Sequence, residues 1–131
     1  MNTKLLMTLS AMIMGSAGLI LLFLPDEVSI YIGLTLSNSF LLQIPGALYF
    51  GFAMLNWMAR SKLIGGIYSK PVCIGNFTHF MIGGIALIKL SIKNTGLTYI
   101  FIASIIYTVF AILFGYVFFT SPVMKHKAIQ P

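Results

Sequence analysis

The sequence predicts an all-α membrane protein, an antiparallel four-helix transmembrane bundle with a short interfacial segment after the first helix. The composition supports this fold class, because 59% of the 131 residues are hydrophobic and only 8% are charged. Soluble domains carry about 25% charged residues. The chain also contains four apolar runs of about the 20 residues that a helix needs to cross a hydrocarbon core roughly 30 Å thick. Its length has room for a single membrane domain, 1–131.

Short polar connections separate the four predicted spans. The spans cover residues 5–24, 39–59, 71–90 and 97–119. Arg60, Lys62 and Lys70 lie in the connection between the second and third spans, and residues 91–96 separate the third from the fourth. Because both connections are short, we expect the helices that they join to be antiparallel neighbours.

The first run has some features of a cleaved secretory signal. Lys4 precedes it, and Gly15-Ser16-Ala17 resembles a small-residue cleavage site. The apolar residues nevertheless continue to Leu24, beyond the roughly 7–15 residues of a signal core. We therefore expect an uncleaved helix.

The residues after this helix indicate a short segment outside the hydrocarbon core. Pro25, Asp26 and Glu27 end the first span, and apolar residues between Val28 and Leu34 follow at amphipathic spacing. Such a segment suits the membrane interface. An ordinary apolar loop packed on the bundle explains the same residues, and the sequence leaves both interpretations open.

The positions of lysine and arginine predict the orientation, because these residues are enriched on the cytoplasmic side. If the N-terminus lies in the cytoplasm, six of the eight basic residues lie on the inner side of the membrane, namely Lys4, Arg60, Lys62, Lys70, Lys125 and Lys127. Only Lys89 and Lys93 are then outside. We therefore predict a protein of the cytoplasmic (inner) membrane with both termini in the cytoplasm. Because the basic residues flank apolar runs, the net charge of +6 indicates contact with lipid headgroups and no nucleic-acid partner.

Each span carries small residues of the kind that let helices approach closely in lipid. They are Ala11, Gly15 and Gly18 in the first span, Ala47 and Gly51 in the second, Gly83 and Ala86 in the third, and Ser104, Thr108, Ala111 and Gly115 in the fourth. These stripes predict a compact bundle. They also leave open a homo-oligomer or a partner membrane protein beside the lipid bilayer.

Polar side chains at membrane depth are costly, and each one is a candidate site. Asn76 and His79 share one face of the third span. Asn76 lies about 8 Å from the inner end of that span, and His79 lies one turn deeper. Asn56, about 5 Å from the inner end of the second span, shares a face with Tyr49 and Arg60. We therefore predict a ligand-binding cluster of these five residues between the second and third spans. Interhelical hydrogen bonding alone explains the same pattern.

The sequence indicates no catalytic residues, no cofactor and no metal site. His79 is the only side chain within a span that can change charge near neutral pH, whereas the acids Asp26 and Glu27 lie outside the spans. A haem would need a further axial ligand. The methionines and the single Cys73 are expected to serve in packing. No nucleotide, hydrolase or zinc motif is present.

Three short features suggest a family. The sequence LPDE at 24–27 ends the first span, the sequence GALYFG at 46–51 lies within the second, and a basic loop leads to Pro71. In this layout the chain resembles small bacterial four-helix integral membrane proteins of unknown function and, more distantly, the DoxX-like group. The resemblance covers most of the chain, rests on architecture and implies no activity. DoxX-like proteins often carry an acidic residue within a span, and this chain does not.

Three functions remain open from the sequence. The first is transport or permeation of a small solute or ion through the predicted cluster. The second is a non-catalytic accessory or structural subunit that binds a partner protein or lipid through residues 27–34 and its helix faces. The third is a membrane redox protein or enzyme, which the missing catalytic motifs make the least favoured.

Overall fold

A computed structural model describes residues 2–33, 36–61, 70–93 and 96–120 of the chain. The helices are α1 (Thr3–Phe23), α2 (Pro25–Ile32), a 3-10 segment (Leu36–Leu42), α3 (Gln43–Ala59), α4 (Lys70–Lys93) and α5 (Thr98–Thr120). No β-strand occurs in these ranges. Four helical segments are long and apolar enough to cross a membrane: α1, Asn38–Ala59, α4 and α5. The predicted all-α fold class and its four spans are confirmed, and the chain is an integral membrane protein.

The observed boundaries agree with the predicted spans except at the end of the third. There α4 continues to Lys93, three residues beyond the predicted end. A lysine in the last turn interacts favourably with the negative end of the helix dipole, which explains why the charged residues extend the helix. Leu34, the basic loop with Lys62, and the tail with Lys125 and Lys127 lie outside the described residues.

The chain divides into two compact units, Met1–Ser61 and Lys62–Pro131. In the first unit α1 packs on α3, and in the second α4 packs on α5. Both pairs are antiparallel. In the first pair, for example, Ser10 near the start of α1 meets Asn56 near the end of α3. A single membrane domain over 1–131 stays a prediction.

In the first unit the backbones of α1 and α3 are in direct contact. A Cβ added to Gly18 would lie 2.7 Å from the Phe50 amide nitrogen and 2.9 Å from the Gly46 carbonyl oxygen. Ala47 and Gly51, the small residues predicted to let the second span approach a neighbour, are exposed and lie outside this contact. The buried residues of α3 are Gly46, Ala53 and Asn56. Their spacing of seven and three follows one face of a helix, to which Ala47 and Gly51 do not belong.

Aromatic side chains form the core of the second unit. Phe80 and Phe114 are fully buried, and the Phe80 ring stacks on Phe110 and Phe114 at centroid distances of 4.9 and 5.8 Å. Offset aromatic pairs contribute about 0.5–1.5 kcal/mol beyond their buried area. The buried Cys73 thiol donates to the Phe114 carbonyl oxygen at 3.6 Å, which is consistent with the packing role expected for it.

The short helix α2 follows α1, at the place where the sequence predicts a short segment. Pro25 stands in its first turn together with Asp26 and Glu27, and these residue types suit a helix start. Gly33 ends the helix with a φ of +76°, a left-handed conformation that costs glycine little. Ser29 is the buried residue of α2, whereas its neighbours Ile30 and Tyr31 are exposed.

Candidate functional site

The second unit places the sequence-predicted residues Asn76 and His79 on α4. Asn76 is fully buried, and its Nδ2 donates to the Val72 carbonyl oxygen at 2.8 Å. His79 is half-buried, and its Nε2 lies 3.3 Å from the phenolic Oη of Tyr107 on α5. We refer to Asn76, His79 and Tyr107 as the α4–α5 polar site.

Two aromatic rings pack against the imidazole of His79. Its centroid lies 5.2 Å from that of Phe80 in an edge-on arrangement and 5.6 Å from that of Tyr107. Phe80 and Tyr107 in turn pack edge to face at 5.2 Å. The imidazole is therefore held on one side by rings of both helices, while its half-buried state leaves part of it accessible.

Gly83 gives the Tyr107 ring its place. A Cβ at Gly83 would lie 2.6 Å from the Tyr107 Cε1, so the ring rests where any other residue would put a side chain. The next residue, Gly84, has room, because its added Cβ would lie 3.6 Å from the Tyr107 Cβ, an ordinary contact. Gly83 is thus a positioning residue for the tyrosine that meets His79.

The histidine and tyrosine form a pair able to share a proton. The phenol donates to a neutral imidazole nitrogen or accepts from a protonated one, depending on the tautomer. The pair can therefore hold a proton between Nε2 and Oη or offer both groups to a polar solute. Neither α4 nor α5 contains a carboxylate that would compete for this proton.

Asn56 has a different environment in the first unit. Its Nδ2 donates to the Ser10 Oγ of α1 at 3.0 Å and lies 3.9 Å from the Met14 sulfur. The Ser10 hydroxyl donates in turn to the Met7 carbonyl oxygen at 3.0 Å. These groups are all buried, so the contact joins the two helices inside their interface.

Arg60 and Tyr49 belong to the first unit as well. Arg60 caps the end of α3, where its Nη1 donates to the Trp57 carbonyl oxygen at 2.6 Å and its guanidinium carbon lies 3.5 Å from the Trp57 ring centroid. A cation on an aromatic ring at a helix end suits a membrane interface. Tyr49 is half-buried on α3.

The structure therefore distributes the five predicted site residues over both units. Asn76 and His79 lie together in the second, and Asn56, Tyr49 and Arg60 lie in the first. Their meeting between the second and third spans stays a prediction. No group of three or more histidine, cysteine or acidic side chains that could hold a metal occurs in the described part of the chain.

Sequence reasoning missed two partners, Ser10 and Tyr107. The sequence contained a signal for each of these two residues. Ser10 lies at helical spacing with Met7 and Met14, which share the buried face of α1. Tyr107 lies near the middle of a span, where its hydroxyl cannot reach an interface and must find a partner within the protein.

Comparison of the chain with protein-family models, with curated proteins and with solved structures found no match. The resemblance to DoxX-like and other small four-helix proteins therefore stays a prediction.

Proposed function

We propose that this protein moves a small solute or ion across the membrane, and that the α4–α5 polar site contacts the permeating species. One observation supports this most directly: an ionisable side chain, His79, lies deep in a membrane-spanning helix beside the hydroxyl of Tyr107. His79 lies nine helical steps after Lys70, or about 14 Å at 1.5 Å per step. That distance corresponds to the middle of a hydrocarbon core about 30 Å thick.

The geometry favours a functional role over a purely structural one. A hydrogen bond between membrane helices contributes only about 0.6 kcal/mol on average. An asparagine or serine can make such a bond, so a purely structural role does not need a titratable side chain. His79 is titratable, and it is half-buried. Ionisable residues at this depth typically face an interior or a water-filled cavity and serve a substrate, ion or proton path.

The proposal includes a direction in the membrane. We place both termini in the cytoplasm and the protein in a bacterial inner membrane, because six of the eight basic residues then lie on the inner side. Reporter fusions at the C-terminus, active only in the cytoplasm, test this arrangement.

Flux into liposomes that contain the purified protein tests the function. We expect at least one member of a panel of small ions and neutral solutes to enter, and His79→Ala and Tyr107→Phe to reduce its flux at least tenfold, a loss of about 1.4 kcal/mol. Measuring the flux between pH 5 and 8 would show whether protonation of His79 takes part.

Two neighbouring glycines provide a matched control. Gly83→Ala displaces the Tyr107 ring and should reduce flux, whereas Gly84→Ala meets only ordinary contacts and should leave flux unchanged. A correctly folded protein that passes no solute of the panel, or whose flux is insensitive to His79→Ala, would contradict the proposal.

The exposed face of α2 favours a second candidate, an accessory subunit that binds a partner protein. Ile30 and Tyr31 are 66% and 71% exposed, next to the exposed acids Asp26 and Glu27. Purification from native membranes should then recover a defined partner that the variant Ile30→Asn loses. Recovery of the same proteins with both versions would argue against this candidate.

A further inference from the structure

An apolar groove runs between α4 and α5 in the second unit. Its volume is about 290 Å³, near the lower end of the roughly 300–1,000 Å³ typical of small-molecule pockets. Three small residues, Gly84, Ala111 and Gly115, belong to its lining, where larger side chains would fill the space. The groove excludes Asn76, His79 and Tyr107 from its lining, so it is distinct from the α4–α5 polar site.

The length of the groove matches one leaflet of a bilayer. Along α4 the lining extends from Phe77 to Ile88. These eleven steps of 1.5 Å span about 16 Å, close to half of a hydrocarbon core about 30 Å thick. The groove thus has the length and the apolar character of a site for a single extended acyl chain.

Positive charge lies directly beyond one end of the groove. Lys89 follows the last lining residue of α4, and Ile85, Lys89 and Lys93 continue one helix face at spacings of four. Both lysines are exposed. The only acids of the chain, Asp26 and Glu27, belong to the first unit, so α4 and α5 contain no carboxylate that could neutralise these lysines.

We propose that this groove binds one acyl chain of an anionic phospholipid, whose phosphate contacts Lys89 and Lys93. The lysine stems can follow the apolar surface while the ammonium groups reach the headgroup layer. A helix from a second copy of this chain fits less well, because none of its membrane spans carries an acid that would complement the lysines. A phospholipid provides the apolar chain and the negative charge at the required separation.

Native mass spectrometry of the delipidated protein, with phosphatidylglycerol or phosphatidylcholine added back, tests the proposal. We expect phosphatidylglycerol to be retained at least tenfold more than phosphatidylcholine. The double variant Lys89→Gln/Lys93→Gln should remove this preference, because each basic residue near an anionic headgroup contributes to binding. Lys4→Gln, which removes a basic residue of α1, is the matched control and should keep it.

Filling the groove tests the role of the acyl chain. Ala111→Phe should reduce retention of both lipids at least tenfold, whereas Ile82→Phe, at a position 64% exposed and outside the groove, should not. Glycerol phosphate, which carries the anion without a chain, should not compete. Equal retention of the two lipids by the unaltered protein, unchanged retention by Ala111→Phe, or effective competition by glycerol phosphate would each overturn the proposal.

Photolabelling of the unaltered protein avoids any dependence on how the variants fold. Phosphatidylglycerol with a diazirine in its acyl chain should label peptides that contain Met81 or Ile112, both in the groove lining. Labelling spread evenly over α1, α3, α4 and α5 would show only general contact with lipid and would overturn the proposed site.

Discussion

The two units hold their helices together in different ways. In the first, α1 and α3 approach backbone to backbone at Gly18, and a buried hydrogen bond joins Asn56 to Ser10. In the second, the ring of Phe80 on α4 stacks on those of Phe110 and Phe114 on α5, and a Cβ added to Gly84 would lie 3.7 Å from the Thr108 amide nitrogen. The helix backbones of the first unit therefore approach more closely at Gly18 than those of the second do at Gly84. A groove and a half-buried histidine lie beside the rings of the second unit.

This difference gives the polar residues of the two units different meanings. Asn56 is fully buried and hydrogen-bonded to a neighbouring helix, as a group that stabilises an interface should be. His79 is titratable, half-buried and next to a phenol, which are the properties that the proposed contact with a solute requires. The same class of intramembrane polar residue thus supports structure in one unit and the proposed function in the other.

The largest effect should come from Gly18→Ala. The added methyl would press on the backbone of α3, which cannot rotate away as a side chain can, so we expect a loss of about 2–3 kcal/mol in the free energy of unfolding, at the upper end of overpacking costs. Gly51→Ala is the control, because nothing lies within 4 Å of its added Cβ. It should be neutral or stabilising by up to about 1 kcal/mol through helix propensity.

Unfolding of both variants in mixed detergent micelles measures these two effects. If Gly18→Ala and Gly51→Ala unfold alike, the close backbone approach does not hold the first unit together. The contrast between the two units would then lose its main support.

A double-mutant cycle on Asn56 and Ser10 should give the next largest effect. We expect a coupling of about 1 kcal/mol, the net contribution of a typical hydrogen bond and within the range measured between membrane helices. Liposome flux should remain if the protein stays folded, because these residues lie outside the proposed α4–α5 polar site. A near-zero coupling combined with lost flux would instead assign Asn56 to function, as the sequence-based cluster predicts.

Much of the fold could be predicted from the sequence, because span length and hydropathy are properties of single segments. The pairing of residues between helices could not. Gly46 and Ala47 are adjacent and both small, yet only Gly46 is buried, since the rotation of α3 about its axis depends on the partner that it packs against. For the same reason the predicted site included His79 and omitted Tyr107, whose relation to it depends on the register of α5.

The smallest expected effect is a difference in thermal midpoint between alanine variants of two buried serines of the first unit. Ser10 accepts from Asn56, whereas the Ser29 Oγ is buried and has no hydrogen-bond partner among the described residues. A buried hydroxyl without a partner costs about 1–3 kcal/mol relative to a satisfied one, so Ser29→Ala should leave the thermal midpoint unchanged or raise it slightly. Ser10→Ala should lower it, because Asn56 then loses an acceptor inside the interface. A decrease of similar size in both variants would show that Ser29 also makes a stabilising hydrogen bond.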